Sequence, residues 1–231
     1  MKEYDFEEIG FFEAFFGLVT QPAETTNILL LQTRPKYVLR LLGLLYLTLF
    51  GPVLYYIFKY GTTVYNPVSV YGLVLVLTFG IMIFVLLEAI FLYLSGIQYT
   101  LYHVFALTAY CLAPLIAVFI LIYIFNYLST GSLSFISMLM NSTSLHNDRF
   151  LRIIPYALAI AQINVLVVLS HGLKFLGDLH FSSSIIFGLG SIGPAFVALW
   201  TAVYLADMGL PGTRNNINEF LSAVSALASF H

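Results

Sequence analysis

Long stretches without charged residues constrain the fold of this chain more than any other feature. Five runs lack Asp, Glu, Lys and Arg, at residues 41–58, 68–87, 104–125, 153–170 and 183–206. Each is close to the roughly 20 apolar residues that an α-helix needs to cross the hydrocarbon core of a bilayer. Charged residues make up 9% of the 231 positions and hydrophobic residues 60%, so polar side chains are too few to cover a soluble core. The sequence therefore predicts a polytopic membrane protein.

The pattern within the runs indicates helices. A strand of a membrane barrel alternates apolar and polar residues over about ten positions, whereas these runs are apolar throughout. Helices and closed barrels are the two structures that satisfy every backbone polar group within lipid. We therefore predict an all-α membrane protein, a bundle of five transmembrane helices preceded by short interfacial helices. Residues 1–37 would form the interfacial helices, 38–206 the membrane domain and 207–231 a short C-terminal tail.

The first 37 residues differ in character from the runs that follow. They begin with acidic rather than basic residues, so we expect no cleavable signal peptide. Their apolar side chains favour short helices on the membrane surface, with an anchor made of Phe11, Phe12, Phe15 and Phe16. Pro22 suits the first position of a second helix, and Glu24 falls in its first turn, where the helix dipole favours an anion. Arg34 and Pro35 are expected to end that helix.

The basic residues beside the runs bear on the orientation of the protein. With five spans, one side of the membrane carries five of them and the other side four. These are Lys2, Arg34, Lys36, Arg40 and Lys174 against Lys59, Arg149, Arg152 and Arg214. Because the cluster ahead of the first span usually dominates, we predict a cytosolic N-terminus. The membrane would be the inner membrane of a bacterium, or the ER or Golgi membrane of a eukaryote, where the acceptor triplet at Asn141 would face outward.

Polar residues within or beside the runs are the candidates for function, because ionisable groups are costly in hydrocarbon. Glu88 leads, since it directly follows the second run. It could form a proton or ion site together with His103, or it could lie in the last turns of a tilted helix and reach headgroup water or a neighbouring side chain. Asn164 and Gln162 in the fourth run favour hydrogen bonds between helices over ligand binding.

The stretch HGLKFLGDLH would place three polar side chains on one face of a helix, because residues three and four apart are neighbours. These are His171, Lys174 and Asp178, with His180 two residues further on. A metal site needs several ligands converging in a defined geometry, which this spacing does not favour. We expect instead an interfacial helix end, with Lys174 and Asp178 paired near the headgroups.

The octapeptide FGLGSIGP has Gly188, Gly190 and Gly193 in the GxGxxG spacing of dinucleotide-binding proteins, and Asp207 follows downstream. That motif works where a strand turns into a helix and presents backbone N–H groups to a pyrophosphate. Here it lies inside an uncharged run, so we predict no bound nucleotide and no cofactor. Ser184 and Gly188, four residues apart, are instead expected to form a smooth face against which another helix packs.

Proline occurs in four of the five runs. It removes a backbone donor and clashes with the preceding turn, so it bends or breaks a helix unless it lies in the first turn. Pro155 is near the start of its run and needs no bend. We expect helix shaping at Pro52, Pro114 and Pro194, and the alternative is a break that forms a transport site.

Motifs of enzymes are otherwise absent from the sequence. There is no HExxH, no GxSxG, no Walker loop and no paired acidic motif of the kind that holds a metal and a diphosphate. We therefore expect a non-enzymatic protein with no catalytic residues, no metal and no nucleic-acid partner. Cys111 is the single cysteine, so an intrachain disulfide is not possible.

Two short motifs resemble signatures of a known family. AYCLAP at 109–114 is similar to the GYxxxP motif of the Yip family, five-span membrane proteins that interact with Ypt/Rab GTPases, and TLFGP at 48–52 is similar to that family's DLxGP. The resemblance covers roughly residues 15–206, with Ala109 replacing the glycine and Thr48 replacing the acid. The short segment before the first run resembles the prokaryotic branch, for which a Rab partner is not expected.

The resemblance implies a non-enzymatic membrane protein in which Gly51, Pro52, Tyr110 and Pro114 shape the bundle. The physical reading is that Gly51 lets a neighbouring helix approach and that the Tyr110 hydroxyl satisfies a carbonyl freed by a proline. Two functions follow. The first is a scaffold or adaptor in membrane organisation or trafficking that binds lipid, a protein partner or a second copy of itself. The second is a subunit of a transporter or channel in which Glu88, Asn164 and the proline breaks line a polar path.

Overall fold

The computed structural model describes residues 9–32, 34–60, 67–97, 99–130, 154–212 and 214–215. Within these ranges the regular structure is helical and there is no β-strand, which confirms the all-α class. The helices are α1 (Phe11–Thr20), α2 (Pro22–Gln32), α3 (Pro35–Tyr60), α4 (Pro67–Leu94), α5 (Leu101–Thr130), α6 (Ile154–Gly177), α7 (Phe181–Gly190) and α8 (Ile192–Gly209). Asn141, Arg149, Arg152 and most of the predicted tail lie outside the described residues.

Four described segments are long and apolar enough to cross a membrane, as expected of a membrane protein. They are Tyr71–Leu94, Leu101–Ile124, Tyr156–Gly177 and Phe181–Gly209. The first three lie in α4, α5 and α6, and the fourth combines α7 with α8. Helix α3 runs through the first predicted run without interruption but is not among the four, and its side chains at 53, 56, 57, 59 and 60 lie outside the described residues.

Helix α5 is the centre of the bundle. It packs against α1, α2, α3, α4 and α6. In its most apolar 18-residue stretch 56% is buried inside the protein, against 22–33% in the corresponding stretches of the other three spans. Its inward residues include Val104, Leu107, Tyr110, Ala113 and Ile116, all with almost no exposed surface. A helix that is apolar all round belongs in such a position, because it can bury several faces at once.

Helices α1 and α2 pack on the bundle beside α5 and α6. Helix α2 begins at Pro22, as predicted, and the Glu13 carboxylate accepts a hydrogen bond from the Gly10 N–H at 3.4 Å, where α1 begins. The four phenylalanines do not form one anchor. Phe15 is buried in the core at 5% exposure, whereas Phe12 and Phe16 face outward. Phe11 stacks on Tyr37 with the ring centroids 6.1 Å apart.

The last predicted span is interrupted at Ser191, between α7 and α8. Pro194 explains the break, because it lacks the N–H that would bond to the carbonyl of residue 190 in a continuous helix. Ending α7 at Gly190 and starting α8 at Ile192 puts Pro194 in the first turn of α8, where proline is tolerated. Pro155 is likewise in the first turn of α6, while α3 and α5 continue through Pro52 and Pro114.

Candidate functional site

The interruption at Ser191 lies against the carboxyl group of Glu88. Ser191 Oγ is 2.6 Å from Glu88 Oε1 and 3.1 Å from the carbonyl oxygen of Phe187, one turn earlier. Both side chains are almost completely buried, Glu88 at 1% and Ser191 at 2% exposure. The hydrogen bond therefore joins α4 to the α7–α8 junction inside the bundle.

The surroundings of this carboxyl group are mostly apolar. The Phe91 ring, one turn further along α4, contacts the Phe187 ring, with the centroids 5.9 Å apart. The same ring packs against Gly190, where an added Cβ would lie 3.0 Å from Phe91 Cζ. The thiol of Cys111 on α5 is also buried, and a charge on Glu88 would act on it. The second carboxyl oxygen, Oε2, is buried and has no hydrogen-bond partner among the described residues.

The structure decides between the two interpretations of Glu88 in one respect. Its side chain does not reach headgroup water, because it is buried, but it does pair with a neighbouring side chain. The predicted pairing of Glu88 with His103 is wrong, because the described residues form no hydrogen bond between them. His103 Nδ1 lies 2.7 Å from Thr100 Oγ1 at the start of α5, while the described bond of Glu88 goes to Ser191.

The residues of the two motifs lie apart from this pair and differ from expectation. Tyr110 is fully buried, but its hydroxyl has no partner among the described residues, so the expected bond to a freed carbonyl is wrong. Pro114 is buried inside α5. Among the described residues, the atoms within 4 Å of a Cβ at Gly51 belong to Leu47 on its own helix, so the expected close approach of another helix is not found there.

Pro52 and Thr48 border a groove between α3 and α5 with a volume of about 310 Å³. Its lining is largely apolar, with Ile120, Tyr123 and Ile124 on the α5 side. Nearby, the Tyr46 hydroxyl lies 2.7 Å from Thr78 Oγ1, which itself donates to the Val74 carbonyl at 2.8 Å. Tyr46 is therefore the donor in a bond that links α3 to α4.

The polar residues of α6 are dispersed. Asn164 is half-buried and Gln162 is exposed. His171 is half-buried, with its ring 5.2 Å from that of Phe181. The expected pairing of Lys174 with Asp178 is not formed, because α6 ends at Gly177 and Asp178 has left the helix with a φ of 47°.

The glycine triplet serves helix packing. Ser184 and Gly188 are the buried residues of α7, and a Cβ at Gly188 would lie 2.8 Å from Ser170 Oγ and 3.3 Å from Leu166 Cδ1 on α6. Gly190 ends α7 and Gly193 lies in the first turn of α8, with no strand before them. Asp207 accepts hydrogen bonds from the Gly212 and Arg214 N–H groups, both at 3.0 Å, so its carboxylate closes a turn after α8.

Helix α8 has two faces of opposite character that the sequence analysis missed. Ala198, Ala202, Val203 and Ala206 are buried, and a Cβ at Gly80 of α4 would lie 3.8 Å from the Ala202 methyl group. The outward side carries Phe196, Trp200 and Tyr204, all exposed, which we call the α8 aromatic stripe. The spacing of four residues was the available signal. The sequence analysis also missed Ser191. The available signal was its position between Gly190 and Gly193, shortly before Pro194.

The described residues offer a carboxyl–hydroxyl pair inside the bundle and apolar surfaces outside it. Among them, no three His, Cys, Asp or Glu side chains are grouped so that they could hold a metal ion. Glu88 and Ser191 can share a hydrogen bond or a proton, whereas the stripe and the groove offer mainly apolar and aromatic contacts. In comparisons with known proteins, the chain matches no family model, no curated protein and no solved structure.

Proposed function

We propose that this chain is a non-enzymatic integral membrane protein that acts as a scaffold or adaptor in membrane organisation or trafficking. The observation that carries the proposal is the α8 aromatic stripe, which lies on the outside of the described bundle. The resemblance of AYCLAP and TLFGP to the Yip family motifs supports the same function. In this proposal the stripe binds another membrane-embedded protein, which can be a second copy of the chain.

The contrast between the two faces of α8 supports a protein partner. The inner face uses alanines, which allow close packing with α4, so the large side chains are not needed for that contact. Phe196 and Trp200 contact each other edge to face, with centroids 6.2 Å apart. Such aromatic surfaces are enriched in protein interfaces.

The length of the stripe argues against a role in the interfacial aromatic belt alone. From Phe196 to Tyr204 the axial rise is about 12 Å, at 1.5 Å per residue. Tryptophan and tyrosine in an aromatic belt gather at the headgroup level, and a stripe along the helix axis extends beyond one level. A helix of a partner protein lying along α8 would contact all three rings.

For the topology we propose five spans, with α3 as the first and a cytosolic N-terminus. Helix α3 is 26 residues long and contains the first uncharged run, which supports its crossing the bilayer. The outward Phe12 and Phe16 support a contact of α1 with the membrane surface. An odd number of spans would put the C-terminus on the opposite side of the membrane.

Site-specific photo-crosslinking tests the scaffold function. A photoreactive phenylalanine analogue is introduced at Trp200, and the matched control carries it at Ile163, an exposed residue of α6. The protein is irradiated in native membranes and the adducts are identified by mass spectrometry. We expect protein adducts, to a distinct partner or a second copy, from position 200 and lipid adducts from position 163. Lipid adducts alone at both positions would contradict the proposal.

A transporter or channel subunit is the second candidate, favoured by the bond between Glu88 and the interrupted last span. Transporters place their ion sites at discontinuous helices near the middle of the membrane. The test measures the flux of ions or solutes across the membrane of vesicles reconstituted with the protein. The wild type is compared with Glu88→Gln and with Ser182→Ala, a control change at an exposed serine of α7. This candidate requires flux that Glu88→Gln abolishes and Ser182→Ala leaves unchanged, and it fails if Glu88→Gln has no effect.

A further inference from the structure

We propose that Glu88 is a proton-binding site: its carboxyl group is neutral and donates a hydrogen bond to Ser191, which in turn donates to the carbonyl of Phe187. The two outer groups of this chain belong to different helices, α4 and α7, and Ser191 lies at the junction that follows α7. The inference does not depend on whether the protein is a scaffold or a transporter.

The number of available hydrogens supports the neutral acid. Ser191 has one hydroxyl hydrogen, and its oxygen lies within hydrogen-bond distance of two oxygen atoms, Glu88 Oε1 at 2.6 Å and the Phe187 carbonyl at 3.1 Å. If Glu88 were a carboxylate, it could only accept, and one of the two contacts would have no hydrogen. A proton on Oε1 supplies the second hydrogen, so both contacts become bonds.

The burial of the carboxyl group points the same way. A carboxylate at 1% exposure would leave Oε2 without a partner, since no hydrogen-bond donor reaches it among the described residues. No ion pair between Glu88 and a basic side chain is formed in the described ranges, and the buried Cys111 thiol of α5 is a titratable group on which a charge at Glu88 would act. Burying an unpaired charge in such surroundings costs far more free energy than burying a neutral acid. In the neutral acid the atom left without a hydrogen bond is Oε2, a weak carbonyl acceptor.

The proton would hold together parts of the bundle that are distant in sequence. Residues 88 and 191 are 103 positions apart, and their bond connects α4 to the only interruption in the described membrane spans. Loss of the proton would remove one hydrogen bond and add a charge at the same place. Proton binding is therefore expected to favour the closed contact between α4 and the α7–α8 junction.

Infrared spectroscopy can detect the proton directly, because a carboxylic acid and a carboxylate have different carbonyl bands. The protein is reconstituted in lipid at neutral pH, with ¹³C-labelled glutamate to separate Glu from Asp. Among the described residues Glu88 is the buried glutamate, whereas Glu13 and Glu24 are exposed. We therefore expect an acid band that is present in the wild type and missing in Glu88→Gln. A wild-type spectrum with carboxylate bands and no acid band would overturn the proposal.

A second variant tests the partner and does not depend on the folding of Glu88→Gln. In Ser191→Ala the acid loses its hydrogen-bond acceptor, so we expect the acid band to shift, whereas Ser182→Ala should leave it in place. An acid band that is unchanged in Ser191→Ala would show that the proton is not held through Ser191 and would contradict the proposed chain.

Discussion

Gly188 of α7 lies directly against Ser170 of α6, so close that a Cβ at position 188 would come within 2.8 Å of the Ser170 hydroxyl oxygen. The serine hydroxyl can rotate away from one methyl group, but a longer side chain would also meet Leu166, whose Cδ1 lies 3.3 Å from the same point. We therefore expect Gly188→Leu to destabilise the bundle by about 1–3 kcal/mol and Gly188→Ala by much less. Thermal unfolding in detergent would measure both.

Gly43 provides the control for this substitution. It lies inside helix α3, and no atom of the described residues lies within 4 Å of the Cβ it would carry. Gly43→Leu should therefore leave the unfolding temperature unchanged or raise it, since leucine favours the helix. If Gly188→Leu and Gly43→Leu have the same effect, close packing at Gly188 is not the cause. Added nucleotide should change neither result.

Gly172 of α6 makes the corresponding contact with α5. Both methyl groups of Leu107 lie inside the space that a Cβ at Gly172 would occupy, and Leu107 is itself buried. Gly172→Ala should therefore cost about 1–3 kcal/mol of stability. In the double mutant Gly172→Ala, Leu107→Ala the clash is relieved, so the loss should be smaller than the sum of the two single losses. Additive losses would show that the two residues do not contact each other.

The Tyr46–Thr78 hydrogen bond should make a small and measurable contribution to stability. Tyr46→Phe removes the donor while Thr78 keeps its bond to Val74, so we expect a loss of about 0.5–1 kcal/mol, in the range of hydrogen bonds between membrane helices. Tyr93→Phe, at a tyrosine with 76% exposure on α4, is the control and should have no effect. Equal effects of the two changes would rule out a specific bond.

Removing the Ser191 hydroxyl should have a larger effect, because it leaves the buried Glu88 carboxyl group without a partner. An unsatisfied buried polar group costs about 1–3 kcal/mol, more if it is charged. Ser191→Ala should therefore lower the unfolding temperature, and Glu88→Gln, which keeps a donor of similar size, should lower it less. Ser182→Ala serves as the exposed control. If Ser191→Ala leaves the unfolding temperature unchanged, the bond to Glu88 adds nothing to stability.

Adjacent phenylalanines of α1 should respond differently to truncation. Phe15 is 5% exposed and lies in the core, so Phe15→Ala should cost about 3–5 kcal/mol if its cavity does not collapse. Phe16 is 60% exposed, so Phe16→Ala should have little effect on unfolding. If Phe16 instead anchors α1 in the membrane surface, its replacement should expose α1 to proteolysis in intact vesicles while the bundle remains folded.

The pattern of the sequence was sufficient for the helices and not for their contacts. The uncharged runs predicted the segments that became α4, α5 and α6, because a helix in lipid must be apolar along its whole length. For the same reason the sequence did not show which face of each helix packs inside the bundle. Where every residue is apolar, periodicity does not distinguish the side that packs from the side that meets lipid. In α1, which lies before the runs, the prediction of one anchor from Phe11, Phe12, Phe15 and Phe16 is wrong for a different reason: Phe15 packs in the core, a contact made with other helices.

Glu88 shows the same division at the candidate site. Its position after an uncharged run identified it as unusual, since ionisable residues are rare inside membranes. Its partner could not be predicted, because Ser191 is 103 residues away and becomes its neighbour only through the packing of α4 on the last span. The proposed pairing with His103 used proximity in the sequence, which the fold does not follow.

The amino-acid sequence by itself predicted segments that are apolar and long enough to cross a membrane, and the helical class of the structure. A segment without charged residues that lies in lipid must satisfy its own backbone polar groups, and helices do so through local bonds that depend little on the rest of the fold. Only the tertiary structure decided that the last span is bonded to Glu88 at its interruption and that α8 turns its alanines inward and its aromatic rings outward. Those features depend on which helices meet, and contacts between residues far apart in sequence are set by packing in three dimensions.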